Sequence, residues 1–289
     1  MIITILQTAL GFFALLFGTF FFRDFLKNKD KVTKGRWPGL LGVGFVTNFF
    51  DTLGIGSFAP QTALFKFFHL VDDKFIPGTL NVGNTIPVIL QAFIFISVVK
   101  VDPVTLVSMI VAAQAGAVIG AGIVSKLPVR KIQIGLGLAL LAVAFTLFAG
   151  LMAWFPSGGT AVGLTGLSLI IAVAVSFILG SLHAIGIGYY APCMALVYSL
   201  GMNPRAAFPI MMGSAAMLMP AASMKFIKEK AHDRKASLAL TALGVVGVIL
   251  AAYIVTTLPL ELLKWVVLFV LIYTAITMFR SAAAAVNSA

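Results

Sequence analysis

Thr52-Leu53-Gly54-Ile55-Gly56-Ser57-Phe58-Ala59-Pro60 returns, 132 positions later, as Ala184-Ile185-Gly186-Ile187-Gly188-Tyr189-Tyr190-Ala191-Pro192. Each copy sets Gly-x-Gly and a proline inside a stretch apolar enough to lie in a lipid bilayer. Lipid offers no hydrogen-bond partners, so a helix broken there must find them within the protein. Two such breaks in corresponding places predict discontinuous helices that meet around a site near the membrane midplane.

Composition supports the membrane. The 289 residues are 61% hydrophobic and only 10% charged, with a mean hydropathy of +1.09; a soluble domain carries about 25% charged residues. Apolar stretches reach roughly 20 residues, the helical length that crosses about 30 Å of hydrocarbon. They lack the dyad alternation of an outer-membrane barrel. The expected fold class is an all-α polytopic membrane protein. It comprises two repeats of about four helical segments, each opening with a broken or hairpin helix, plus one N-terminal helix.

Apolar segments fall at about 2–22, 38–70, 75–99, 103–126, 131–154, 161–201, 204–226, 236–258 and 262–280. The segments 38–70 and 161–201 are long and interrupted. Residues 2–22 lack a basic leader and a cleavage motif and read as a first membrane helix. The net charge of +11 comes from loop clusters at 23–36, 126–131 and 225–235, which contact anionic headgroups and set topology rather than bind nucleic acid. The positive-inside rule puts all three clusters in the cytoplasm and the uncharged loop Phe155-Pro156-Ser157-Gly158-Gly159-Thr160 outside. That parity holds if each interrupted segment returns to the side it entered from. The first then opens from the cytoplasm and the second from outside, so the halves are inverted.

The repeat continues through Ile76-Pro77 and Phe208-Pro209, Asp102 and Asp233, and Leu127-Pro128 and Leu258-Pro259. The expected divisions are 1–37 (N-terminal helix and basic cytoplasmic loop), 38–154 (first repeat) and 155–289 (second repeat).

Gly54, Gly56, Gly186 and Gly188 let the backbone leave helical geometry, and Pro60 and Pro192 suit the first turn of a new helix. Helices restarting at Ser57 and Tyr189 would aim free N–H groups and positive dipole ends at a small anion. The competing reading is close helix packing over small residues. Of the nine acids, Asp51 alone falls within an apolar span, and at offset 132 it meets His183. A carboxylate at mid-membrane is a functional hypothesis by default. Asp51 and His183 are expected to couple proton movement to substrate movement; a buried hydrogen-bonded pair is the alternative. Asn48, Asn81, Asn84 and Thr85 are candidates to line the pathway beside Ser57, with Tyr189 and Tyr190 as a gate or cap. Asn81 and Asn84, about one turn apart, are expected to share a face. Gln91 and Gln114 read equally well as polar contacts between helices.

No Walker A sequence, catalytic metal cluster or Gly-x-Ser-x-Gly is present. Neither a cofactor nor a metal is expected, and a single cysteine, Cys193, excludes an internal disulfide. The residues therefore describe a secondary-active transporter of a small anion. A cation-coupled or cation-selective pathway through Asp51 and Asn48 is the first alternative, and a membrane-embedded enzyme using Asp51 and His183 the second. The expected partners are a small anion, protons and membrane lipid, with a homodimer left open.

At the paired hairpins, Gly42-Val43-Gly44 through Pro60 and Gly180 through Pro192, the chain resembles the TauE/SafE family of sulfite and organosulfonate exporters, within the toluenesulfonate-uptake permease group. The resemblance covers about 38 to 280. It implies transport of sulfite or organosulfonate-type anions across a bacterial cytoplasmic membrane, driven by the proton motive force. The glycine runs are leaner than is typical of the family, and Asp51 belongs to no general family motif, which marks a divergent member.

Overall fold

A computed structural model describes residues 2–28, 37–120, 128–154, 159–184 and 189–287. Eleven α-helices make up these residues: α1 (Ile2–Lys27), α2 (Trp37–Thr52), α3 (Phe58–Phe67), α4 (Ile76–Val98), α5 (Pro103–Ala115), α6 (Val129–Leu151), α7 (Gly166–Ala184), α8 (Tyr190–Ser199), α9 (Ala207–Lys228), α10 (Arg234–Thr257) and α11 (Leu260–Asn287). A π-helical turn, Gly116–Gly120, extends α5. Seven helices are long and apolar enough to cross a membrane, namely α1, α4, α6, α7, α9, α10 and α11. The expected class, an all-helical polytopic membrane protein, is the one observed.

The same succession of elements occurs twice. Two helices flanking a Gly-x-Gly segment (α2 and α3; α7 and α8) lead to a short 3₁₀ turn, Asp73–Phe75 or Pro204–Ala206, and then to three longer helices. Helices α3 and α8 are each 10 residues long, or about 15 Å at 1.5 Å per residue, which is half a bilayer core. A helix of that length starting at the midplane ends at the interface.

The chain divides into two compact units, residues 1–98 with 215–256 and residues 99–214 with 257–289. In the first unit, Leu40 and Val43 of α2 are buried together with Phe65 of α3, Ile76 and Leu80 of α4, and Ala236, Ala239 and Leu240 of α10. The last turn of α3 therefore lies beside the first turns of α2: the segment turns back and ends where it began. At the same level Asp24 of α1 takes a two-point bond from Arg234 of α10, at 2.7 and 3.1 Å. Residues of two basic loop clusters are thus joined at one end of this unit.

The second unit repeats this return. Ala161, ahead of α7, forms a parallel bridge with Met202, just past α8, and the Asn203 N–H donates to the Ala161 carbonyl at 2.8 Å. Asp102 caps α5 by accepting from the Thr105 N–H at 2.8 Å, and its own N–H donates to the Val162 carbonyl at 2.8 Å.

Each entering helix is crossed closely by a helix from the other half of the sequence. In the first unit α10 crosses α2: a Cβ on Gly247 would sit 2.5 Å from the Phe45 carbonyl oxygen, and one on Gly244 2.7 Å from the Asn48 side-chain nitrogen. In the second, α5 crosses α7, where a Cβ on Gly116 would sit 1.9 Å from the Phe177 carbonyl oxygen and one on Gly180 2.0 Å from that of Ala113. Small residues at these crossings let the backbones touch, the usual arrangement for helices packed in lipid.

Candidate functional site

The first break is a helix C-cap followed by a new start. The Gly54 N–H donates to the Asp51 carbonyl (2.8 Å) and the Ile55 N–H to the Phe50 carbonyl (3.2 Å). This is the Schellman pattern, with Gly54 at the position that wants positive φ. Gly54 and Gly56 have φ of 98° and 86°, a backbone that side chains with a Cβ rarely adopt. Ser57 is the N-cap of α3, and the Gln61 N–H donates to its carbonyl at 2.9 Å. Pro60 sits in the first turn, where its missing N–H is not needed. The second start matches: Tyr189 is the N-cap of α8 and its carbonyl accepts from the Cys193 N–H at 3.1 Å. Gly186 and Gly188 lie outside the described residues.

Asp51, 3% exposed, occupies the first break. Its Oδ2 accepts from Gln91 Nε2 of α4 at 2.8 Å, and the Ser57 amide and hydroxyl also donate toward this carboxylate. Gln91 Nε2 further donates to Thr52 Oγ1 at 3.0 Å. Among the described residues no cationic side chain lies against the acid.

One turn nearer the start of α2, a second polar group fills the space between α2, α3 and α4. Asn84 and Gln61 bond each other reciprocally, at 2.6 and 2.9 Å. Gln61 Nε2 also donates to Thr47 Oγ1 at 2.8 Å, and Asn48 Nδ2 donates to Asn84 Oδ1 at 3.0 Å. All four side chains are buried. Asn48 Oδ1, buried as well, has no partner. Such orphan acceptors are uncommon in folded proteins and call for an explanation.

Asp51, Ser57, Asn48 and Asn84, four candidates from the sequence, thus come together in one unit. Among the described residues Asn81, expected to share a face with Asn84, bonds only its own helix, its Nδ2 donating back to the Pro77 carbonyl (2.9 Å). Asn84 adds to the same kind of back-bond (to Leu80, 2.7 Å) its contacts with Gln61 and Asn48. Thr85 turns to Ser223 of α9, with their hydroxyl oxygens 2.7 Å apart. Gln61, Gln91, Thr47 and Thr52 complete the group. The first two stand out in the sequence as intramembrane amides, whereas the two threonines carry no signal of their own.

Asn84→Ala is expected to lower stability by about 2 kcal/mol, because it leaves Gln61 and Asn48 buried without partners. Asn81→Ala should change it by no more than about 0.5 kcal/mol. Thermal unfolding in detergent checks both.

The second hairpin has another chemistry. Tyr189 is 2% exposed, its hydroxyl accepts from Ser214 Oγ at 3.3 Å, and its ring meets that of His183 edge-on with centroids 6.3 Å apart. Tyr190 and Cys193 are buried beside it. At the offset of 132, Thr47, Asn48, Asp51, Thr52, Ser57 and Gln61 correspond to Leu179, Gly180, His183, Ala184, Tyr189 and Cys193. The backbone design is shared, while the acid and its amide and hydroxyl partners belong to the first copy.

Comparison with curated proteins and with solved structures returns no match. The family described as sulfite exporter TauE/SafE matches residues 2–147, which contain α1, the first hairpin and its polar group. This stretch is half of the chain, and the chain belongs to the TauE/SafE family of sulfite exporters, membrane transporters of sulfite-type anions.

Proposed function

We propose that this protein is a secondary-active transporter that moves sulfite or a small organosulfonate across a bacterial cytoplasmic membrane, coupled to protons. The observation that carries the reading is the first break: a half-helix N-terminus, a serine hydroxyl and a glutamine amide converge on one acidic group inside an otherwise apolar span. Helix N-termini at broken transmembrane helices are a recurring way to hold an anionic substrate. The second half-helix, starting at Tyr189 with His183 nearby, supplies a second positive end without a carboxylate. If α5 with its π-helical extension (Pro103–Ile119), shorter than the seven long helices, crosses as α4 and α6 do, the chain that leaves the cytoplasmic side of α2 reaches the outer side before α7. On that count the two hairpins enter from opposite faces, an arrangement that suits alternating access.

Uptake into proteoliposomes tests the reading, with sulfite, thiosulfate and methanesulfonate offered in the presence and absence of an imposed pH gradient. Saturable flux of at least one anion, accelerated by the gradient, is expected. Flux of every anion equal to that of protein-free liposomes would overturn it.

A further inference from the structure

The donors that an anion would use at the first break are already engaged by a group of the protein itself. The Ser57 amide and hydroxyl donate toward the Asp51 carboxylate, and Gln91 Nε2 donates to its Oδ2 at 2.8 Å. A carboxylate presents two oxygens in a plane, and a sulfonate or sulfite presents three around sulfur; both are satisfied by amide N–H and hydroxyl donors at a helix N-terminus. The site is therefore filled, in this state, by a tethered anion of the same hydrogen-bonding type as the proposed substrate.

Among the described residues, an ionised acid held there has no counter-charge. Helix α4 carries no charged residue, α3 only Lys66 in its last turn, and α10 only Arg234 and Lys235 in its first. Those ends pack at the level of Leu40 and Ile76, far along α2 from Asp51. The part of α1 beside Ser97 of α4, which Gln7 Nε2 reaches at 2.8 Å, is uncharged as well. Burying an unpaired charge is expensive, and neutralisation is the usual escape.

The orphan acceptor provides for that escape. Asn48 lies three residues before Asp51 on α2 and both side chains meet α4, Asn48 at Asn84 (3.0 Å) and Asp51 at Gln91 (2.8 Å); the Asn48 Oδ1 is buried with no donor. A neutral Asp51 has one O–H to donate, and Asn48 Oδ1 is an acceptor in waiting on its own helix.

We propose that Asp51 is an intramolecular stand-in for the substrate anion: one proton from solution converts its carboxylate to the acid, the new O–H turns to Asn48 Oδ1, and the Ser57 and Gln91 donors pass to the incoming anion. Proton and anion then bind as a pair, and release of the proton restores the carboxylate to the break and expels the anion. This inference rests on the anion-transporter reading and gives that reading its coupling step.

Calorimetric titration of the purified protein with thiosulfate and methanesulfonate, whose charges are fixed between about pH 5 and pH 9, tests the exchange. Wild type should lose affinity by ~tenfold per pH unit once Asp51 ionises. Asp51→Asn, nearly isosteric and always neutral, should bind with little pH dependence and at high pH more tightly than wild type. Asp51→Ala should do the same. The inference is overturned, and the transporter reading left standing, if wild type binds without pH dependence or if Asp51→Asn keeps the wild-type slope. Binding that requires sodium and vanishes in both variants would also overturn it, since Asp51 would then hold a cation. No binding of either anion to wild type at any pH would remove the anion reading itself and this inference with it.

Discussion

Gly180→Ala will destabilise the folded protein by about 3 kcal/mol, the upper part of the range for overpacking, and most of it will be lost from detergent extracts. The added methyl carbon would lie 2.0 Å from the Ala113 carbonyl oxygen and within 2.8 Å of its carbon and Cα. All three are backbone atoms of a neighbouring helix, so no side chain can swing aside. Helices α5 and α7 must separate, and every contact along the crossing weakens with them. Gly116→Ala, 1.9 Å from the Phe177 carbonyl oxygen, should behave alike. Gly11→Ala and Gly135→Ala, with open space around the new carbon, should leave the melting temperature within error or raise it slightly, since alanine is the better helix former. Melting of purified variants is the measurement. Equal melting of all four would mean that these crossings are not the tight contacts described.

The second large effect is expected at the break. Gly54→Ala and Gly56→Ala force an alanine to φ of 98° and 86°, at about 1–3 kcal/mol of strain each. At Gly56 the space around a Cβ is empty, so backbone strain is the whole effect there. The double variant is expected to lower anion flux by at least ~tenfold per molecule of folded protein, because strain of that size shifts the populations of the break by such a factor. The donors around Ser57 would no longer converge. Gly42→Ala, within α2 and in open space, is the control that should retain flux. The readout is the initial uptake rate in proteoliposomes, normalised to monodisperse protein.

Much of this arrangement is legible in the sequence, for identifiable reasons. Gly-x-Gly followed at a fixed distance by proline is local chemistry, so the ends of α2 and the starts of α3 and α8 fall at the predicted residues, with Ser57 and Tyr189 as N-caps. Asp51 stands out because an acid in an apolar span has no cheap structural excuse. The partners are harder to see. Residues three apart on a helix differ by about 60° around its axis, enough for Asn84 to reach Gln61 of α3 while Asn81 bonds its own backbone. Whether Gln91 meets Asp51 depends on the level at which α4 passes α2, and that level is set by crossings far away in sequence. The close approaches of Gly180 to Ala113 and of Gly247 to Phe45 are likewise contacts between different halves of the chain. A glycine in a membrane helix does not announce which neighbour it admits.

The proposed tie between this fold and transport is that the two hairpins enter from opposite faces, and sidedness tests that proposal most directly. With Cys193 replaced by serine, single cysteines at Phe68 and Ser199 mark the ends of α3 and α8. Labelling by a membrane-impermeant maleimide is then compared in intact right-side-out vesicles and in vesicles broken open. The prediction is that the cysteine at 199 reacts in intact vesicles, whereas the one at 68 reacts only after opening. Reaction of both from the same face would contradict inverted hairpins and, with them, alternating access through the two breaks.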